Sequence, residues 1–198
     1  MKRWRRMLAL FLTVVLLGGT LPLEVLAEEP ERGFIEVNGQ VMVYSDGEML
    51  DGPLPNGVSY TSTGSNSGTL TLNNAQLTSI YAWGLDNLDI ELVGTNTISL
   101  PDSSASEMDT ALRFDQCSTA TIRGNGTLTV NSPQHAVWFE STDAEIPDTL
   151  TITGGATVTA QSSSGYWADE AAGQYGYCGF SGRMNLVVEN ATLNAVSS

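Results

Sequence analysis

Basic residues are scarce in this chain, and half of them lie near its beginning. Lysine is absent after Lys2, and four of the eight basic residues fall within residues 1–27. From Glu28 onward, four arginines stand against 21 acidic residues, which leaves a net charge of −17. A surface of that charge repels phosphate backbones and anionic lipids, so ordinary binding to nucleic acid or to a membrane surface is excluded.

Groups that carry catalysis are also scarce. His135 is the only histidine, and its place before a predicted strand favours a structural or surface role. Nothing in the sequence argues for the perturbed pKa that Arg113 or Arg123 would need to act as the base of a polysaccharide lyase. A glycoside hydrolase needs converging carboxylates, whereas most acidic residues here lie in predicted turns. We therefore expect no catalytic residue and a protein that is not an enzyme.

Residues 1–27 have the three parts of a secretory signal peptide. A basic start is followed by the apolar run Met7–Leu17, and Val25-Leu26-Ala27 places small residues before Glu28. The run is about 11 residues long, against the ~20 that a bilayer span requires. We expect cleavage after Ala27 and a secreted, extracellular protein with no membrane segment left, either free or associated with the cell surface.

The rest of the chain is rich in strand-forming residues and contains a repeat. Each unit has an apolar–polar–apolar triplet, a Gly or Asn two residues later, and then a second alternating strand. The Gly or Asn suits a turn residue with positive φ. Small residues followed by apolar ones mark a third short segment between units. The five units begin with Leu70–Asn74, Ile90–Gly94, Ala120–Gly124, Leu150–Gly154 and Leu186–Asn190.

Three short strands per unit favour a parallel β-helix over residues 58–198, in which each unit forms one turn. A β-sandwich of hairpins is the alternative. Residues 28–57 are predicted to be an N-terminal segment and cap, because Asn38-Gly39 between alternating strands is typical of a β-hairpin. No cap follows the fifth unit, so we expect either a chain truncated at its C-terminus or an edge that pairs end to end with another copy.

Two cysteines, Cys117 and Cys178, fall at nearby points of the third segment. The repeat places them about two strands apart, near 9–10 Å, beyond the ~7 Å between Cα atoms that a disulfide tolerates. We expect them to be unpaired.

Alternation along the third segment predicts which side chains face outward. It places Leu112, Phe114, Val137 and Phe139 in the core, as it does Trp83 in its own unit. The outward set is Ala111, Arg113, Ala136 and Trp138.

Arg113 and Trp138 would then lie on neighbouring strands, roughly 4.8 Å apart. A guanidinium beside an indole is either simple cation–π packing or a platform for a sugar. Both residues are candidate carbohydrate-binding residues.

A second candidate site lies in the longest insertion, Gln161–Tyr175. Tyr166 and Trp167 could stack on a sugar, and the adjacent Asp169 and Glu170 are candidate calcium ligands. The alternative is that the two aromatic side chains fold back and cover the strands. Apart from calcium, no cofactor is expected.

Val37-Asn38-Gly39, the run Gly68–Ala75 and the run Leu92–Ile98 give the chain a family resemblance. It resembles secreted right-handed β-helix proteins of clostridia and related gut bacteria, often described as carbohydrate-binding domain-containing proteins and similar in fold to pectate lyases. The resemblance implies a right-handed parallel β-helix. Together with the five repeat units and the predicted hairpin, this gives an all-β, right-handed parallel β-helix of about five coils with an N-terminal β-hairpin cap. It also implies plant or cell-wall polysaccharide as the partner, with calcium in places, but no family sugar or calcium site matches particular positions here.

We therefore expect a non-catalytic extracellular carbohydrate-binding protein of a bacterium. A structural or adhesive surface solenoid without a ligand is the alternative, and a polysaccharide lyase-like enzyme is a weaker one. The net charge of −17 favours neutral glycans over polyanionic ones, unless calcium bridges the latter.

Overall fold

A computed structural model describes residues 32–49, 52–101, 110–141, 147–163, 168–169, 174–175 and 179–197. The predicted signal peptide, residues 1–27, lies outside these ranges. Within them the chain is all-β and contains no helix, as the composition predicts.

The described residues form nineteen strands, numbered in chain order. Their bounds are β1 Phe34–Val37, β2 Gln40–Tyr44, β3 Val58–Gly64, β4 Ser67–Asn73, β5 Gln76–Leu77, β6 Ile80–Trp83, β7 Asn87–Val93, β8 Thr95–Ser99, β9 Thr110–Asp115, β10 Thr119–Arg123, β11 Thr127–Ser132, β12 His135–Glu140, β13 Thr149–Thr153, β14 Thr157–Ser162, β15 Ala168–Asp169, β16 Gln174–Tyr175, β17 Phe180–Arg183, β18 Asn185–Glu189 and β19 Thr192–Ser197.

Three large sheets contain all but two of these strands. Sheet A has the order β17-β12-β9-β6-β1-β2, sheet B the order β18-β13-β10-β7-β4-β3, and sheet C the order β19-β14-β11-β8-β5. From β4 to β14, consecutive strands enter sheets B, C and A in turn, and each pairs in parallel with the strand three places later in the chain up to β11. The chain is therefore built from stacked parallel strands. The pair β15–β16 is a separate antiparallel ribbon.

The turn residues that mark the five repeat units adopt the backbone conformation predicted for them. Each has a positive φ, which Gly and Asn tolerate better than other residues. The values are 52° at Asn74, 68° at Gly94, 109° at Gly124, 69° at Gly154 and 50° at Asn190.

Alternate side chains of each sheet face a common apolar interior. Leu112, Phe114, Val137 and Phe139 are fully buried, as predicted, and the rings of Phe114 and Phe139 stack with centroids 5.3 Å apart. Such stacking adds to the stabilisation that burial of two large rings already provides.

The outward placement predicted for Ala111 and Ala136 is wrong. Both are fully buried beside a second buried residue, in the patterns iBBiBB of β9 and iBBiBe of β12. Neither alanine is therefore available on the surface, and the predicted alternation of inward and outward side chains holds from Leu112 and Val137 onward.

The first described residues form antiparallel strands, which lie at one end of the stack. The hairpin β1–β2 is present as predicted, and Asn38 and Gly39 at its turn have φ values of 57° and 79°. Strand β1 pairs antiparallel with β6, and β3 pairs antiparallel with β4. The antiparallel region thus extends past Gly57 to Gly64, and parallel pairing begins at Ser67.

At the opposite end, β17, β18 and β19 are the last strands of their sheets. Leu186 and Val188 of β18 pair with Leu150 and Ile152 of β13, which are fully buried. Leu186 and Val188 themselves are 42% and 43% exposed, because no described strand lies beyond them.

Asn96 is a buried polar residue in the interior of sheet C. Asn96 occupies the position that Leu128 takes on the neighbouring strand, yet it is only 1% exposed. Its Oδ1 accepts a hydrogen bond from the backbone N–H of Ala75 at 2.9 Å, and its Nδ2 donates to the carbonyls of Val93 and Thr127, each at 3.2 Å. The side chain therefore satisfies backbone groups beside β5, the shortest strand of the sheet.

Replacing Asn96 with leucine should destabilise the protein, although the residue paired with it, Leu128, is itself a leucine. Asn96→Leu leaves the Ala75 N–H without its acceptor, so we expect the free energy of unfolding to fall by about 1–3 kcal/mol. Urea denaturation followed by circular dichroism measures this. Asn87→Leu, at an exposed asparagine of sheet B, is the matched control and should change stability by about 0.5 kcal/mol or less. Equal effects of the two substitutions would contradict the assigned role.

Candidate functional site

The outer face of sheet A carries most of the half-buried aromatic side chains that the structure describes. The pairing of β1, β6, β9 and β12 sets their side chains in two parallel rows. One row is Glu36, Tyr81, Arg113, Trp138 and Ser181, and the other is Phe34, Trp83, Asp115, Glu140 and Arg183. Neighbours within a row are about 4.8 Å apart, the spacing of paired strands. We call Phe34, Tyr81, Trp83 and Trp138 the aromatic face.

Three rings of the aromatic face pack against one another. The ring of Phe34 stacks on that of Trp83 with centroids 5.6 Å apart and planes inclined by 22°. The same ring meets Tyr81 edge to face, also at 5.6 Å. These contacts hold the rings of Tyr81 and Trp83 in fixed positions on a rigid sheet.

Arg113 and Trp138 are directly paired across β9 and β12, and both side chains are half-buried on the outer face. The guanidinium of Arg113 lies over the ring of Tyr81, with its Cζ atom 5.3 Å from the centroid. Asp115 binds the guanidinium with both carboxylate oxygens, at 3.0 Å from Nε and 2.6 Å from Nη2. Arg113 is thus fixed by Tyr81 and Asp115, on the side of its strand away from Trp138.

Burial and neighbouring charges shift the pKa values of Tyr81 and Arg113. Burial, helped by the negative charge of Asp115, raises the pKa of Tyr81 to about 12. Its hydroxyl therefore stays protonated and donates to Asp115 Oδ2 at 3.2 Å. Burial lowers the pKa of Arg113, but hydrogen bonding and attraction to Asp115 outweigh this and leave the pKa raised. The guanidinium therefore remains charged across the physiological range.

Trp138 has a different neighbour. Its ring meets that of His135 edge to face with centroids 5.0 Å apart. His135 Nδ1 lies 3.2 Å from the Ser181 hydroxyl, and burial lowers the pKa of His135. A neutral imidazole thus supports the indole at near-neutral pH.

A shallow cleft of about 460 Å³ adjoins Trp83. Besides the indole, its lining consists of Asp115, Gln116, Glu140 and Ser141. An aromatic wall beside several hydrogen-bonding groups can contact the apolar face and the hydroxyl groups of a small polar ligand. The carboxylate of Asp115 already binds Arg113, which leaves Glu140 as the carboxylate of the cleft that is not part of that ion pair.

The core position predicted for Trp83 is wrong, because the predicted alignment of this segment differs from the observed one. The sequence comparison matched Ala82 with Ala111, whereas Ala82 pairs with Phe114, three residues further on. An odd shift reverses the facing of every residue in a strand. The alternation in Ile80-Tyr81-Ala82-Trp83 was the signal that could have placed Tyr81 and Trp83 together on the outer face.

The second predicted site falls on residues whose side chains the structure does not describe. Tyr166, Trp167 and Glu170 lie outside the described residues, and for Asp169 only the strand pairing of β15 is described. Sugar binding and calcium ligation there stay predictions. Among the described residues, no group of three or more His, Cys, Asp or Glu side chains could hold a metal ion.

Of the two cysteines that are predicted to be unpaired, the structure describes only Cys117. Cys117 is a buried free thiol whose Sγ atom lies 3.6 Å from the carbonyl oxygens of Ala82 and Asp115. Cys178 lies outside the described residues.

Comparisons with known proteins return no relative. No protein-family model matches the chain, and neither a curated protein nor a solved structure matches it. Over the described part of the chain, no helix has the length and apolar character needed to cross a membrane.

The raised pKa values of Tyr81, in the aromatic face, and of Cys117 lead us to expect a loss of stability at high pH. Burial raises the pKa of Tyr81 and of the Cys117 thiol to about 12, from ordinary values of 10.0 and 9.0. As the pH rises, the unfolded chain releases these protons before the folded protein does. The contribution of these two groups to the free energy of unfolding should therefore be complete below about pH 9 and should be lost as the pH rises towards about 12. Denaturant titrations across this range measure the loss.

The double variant Tyr81→Phe, Cys117→Ala removes both groups and is the control. Its free energy of unfolding should decline less steeply between about pH 9 and 12 than that of the wild type. An equally steep decline would assign the alkaline sensitivity to other groups.

Proposed function

We propose that this chain is a secreted, non-catalytic carbohydrate-binding protein of a bacterium, located outside the cell or at its surface. The proposed fold is a right-handed parallel β-helix of about five coils with an N-terminal hairpin cap. The cyclic order of the strands among sheets A, B and C supports it, as do the antiparallel strands at one end. Secretion rests on the signal peptide predicted for residues 1–27.

The observation that carries the binding proposal is the aromatic face beside the cleft. Tyr and Trp rings present a flat apolar surface with a polar edge, which matches the apolar face and the hydroxyl rim of a sugar ring. Packing against Phe34 and His135 holds Trp83 and Trp138 in place before a ligand arrives. Pre-ordered side chains lose little entropy on binding, which favours affinity.

The charges of the site favour a neutral glycan. The ion pair with Asp115 already neutralises Arg113, and Glu140 adds a negative charge to the cleft. With a net charge of −17 on the chain after residue 27, a polyanionic sugar would be repelled unless calcium bridged it. Polysaccharide of plant or cell-wall origin without charged groups is therefore the proposed partner.

The state of Arg113 supports binding without catalysis. A guanidinium that is paired with Asp115 and has a raised pKa stays protonated, so it is poorly suited to accept a proton from a uronic acid. A polysaccharide lyase-like activity would release unsaturated uronates in the presence of calcium, and we expect none.

A structural or adhesive solenoid without a ligand is the second candidate function. The exposed inward-facing side chains of Leu186 and Val188 favour it, because another copy of the chain could cover them in an end-to-end contact. Glycan-array binding by the purified protein separates the two functions.

Removing the aromatic side chains should weaken retention on insoluble neutral glycans. We expect Trp83→Ala and Trp138→Ala each to lower the affinity about tenfold, equivalent to about 1.4 kcal/mol, because each removes a stacking surface. Thr151→Ala on the outer face of sheet B is the matched control and should bind like the wild type. Thermal unfolding of each variant shows whether the fold is intact. Unchanged retention by both folded tryptophan variants would reject the aromatic face as the site.

Trp167→Ala tests the second predicted site in the same assay. If the insertion containing Tyr166, Trp167, Asp169 and Glu170 binds sugar with calcium, retention should fall in this variant, and a chelator should lower retention of the wild type. Retention that neither change affects would confine binding to other parts of the chain.

A further inference from the structure

Sheet C differs from the other two sheets in charge. Its five strands, β5, β8, β11, β14 and β19, have the sequences QL, TNTIS, TLTVNS, TVTAQS and TLNAVS, without one Asp, Glu, Lys or Arg. This occurs in a chain with 22 acidic residues. The outer face of this sheet is therefore a neutral surface on a strongly acidic protein.

The outward side chains of sheet C form a regular array. In-register pairing aligns them in rows that run across the strands. The first row is Thr95, Thr127, Thr157 and Thr192, and the second is Thr97, Thr129, Thr159 and Asn194. We call these eight residues the threonine array. Its positions repeat every ~4.8 Å across the strands and every ~6.6 Å along them, the spacings of paired strands and of alternate residues.

The fold does not require this composition. Threonine suits a half-buried position on a strand, which accounts for its frequency in sheets B and C. The equivalent outward positions of sheet B nevertheless include Asp89, Glu91 and Arg123, with Arg123 Nε 3.3 Å from Asp89 Oδ2. Strand preference alone therefore explains threonine but not the exclusion of charge from sheet C.

A neutral cleft continues the array at one side. Its volume is about 310 Å³, and its lining is Ser99, Leu100, Asn131, Ser132, Gln161 and Ser163. Ser99, Asn131 and Gln161 form the next row of the same sheet. The array and the cleft together present hydroxyl, amide and methyl groups over one continuous surface.

We propose that the threonine array is a second binding surface, for the face of an ordered, uncharged polysaccharide whose chains pack side by side. It lies on a different sheet from the aromatic face, and it rests on the proposed function for the class of ligand. Hydroxyl groups on β-branched side chains of a rigid sheet are fixed in position, so they contact many groups at once only on a partner that is itself rigid and periodic. A neutral partner matches a neutral face, because neither must desolvate a charge.

Lysine substitutions at the centre of the array test this surface. Thr129→Lys and Thr159→Lys introduce a charge, and Thr129→Val keeps the shape but removes one hydroxyl. Thr151→Lys on sheet B is the matched control, because Thr151 is also a half-buried outward threonine between two paired strands. Thermal unfolding of each variant confirms the fold. The probes are microcrystalline cellulose, crystalline chitin and the amorphous swollen form of each polymer.

We expect each lysine variant to lower retention on the crystalline form of the polymer that binds by about tenfold, and Thr129→Val to lower it less. Thr151→Lys should match the wild type, and retention on the amorphous form should depend on Trp83 and Trp138. Loss in the tryptophan variants without loss in the array variants would overturn this inference and leave the proposed function intact. No retention of the wild type on any of the four forms would overturn both. A change of oligomeric state confined to the array variants would show that the face contacts a second copy of the chain, and this would also overturn the inference.

Discussion

In-register parallel pairing is the constraint on which the rest of this structure depends. It places Ile90, Ile122 and Ile152 in one interior row, because each pairs directly with the next. Fully apolar rows of this kind stabilise the stack through burial. They also make the register strict, since a shift by one residue would bring the interior row to solvent. The same constraint aligns the outward residues, so that each sheet presents rows of side chains at a constant spacing.

The three outer faces share a backbone geometry and differ in chemistry. Sheet A presents rings held by one another and by the Arg113–Asp115 ion pair. Sheet B mixes threonine with charged side chains such as Arg123 and Asp89. Sheet C is neutral throughout its strands. Because the interior supplies the stability, outward positions can vary with little effect on the fold, so folding alone does not dictate the contrast among the faces.

Local signals in the sequence predicted much of the fold and part of the candidate site. The positive φ at Asn74 and Gly154 follows from residue type and position within each repeat unit. The pairing of Arg113 with Trp138 follows from the similarity of two segments that are aligned without a gap. Trp83 was misplaced because the segment containing it aligns with the others only after a shift of three residues. Alternation within this segment could have placed Trp83 on the outer face, but it does not reveal which residue of the next strand pairs with it, because the length of each turn sets that register.

The sequence by itself determined the strand content, the positions of the turns, the excess of negative charge and the alternation of side chains along most strands. These properties depend on residue type and on short-range alternation, both of which can be read along the chain. Only the tertiary structure decided which rows are neighbours, that Arg113 binds Asp115 over Tyr81, and that Phe34 supports Trp83. Phe34 and Trp83 are 49 positions apart in the chain. Their contact exists because β1 reverses direction and pairs with β6, a long-range event that no local pattern encodes.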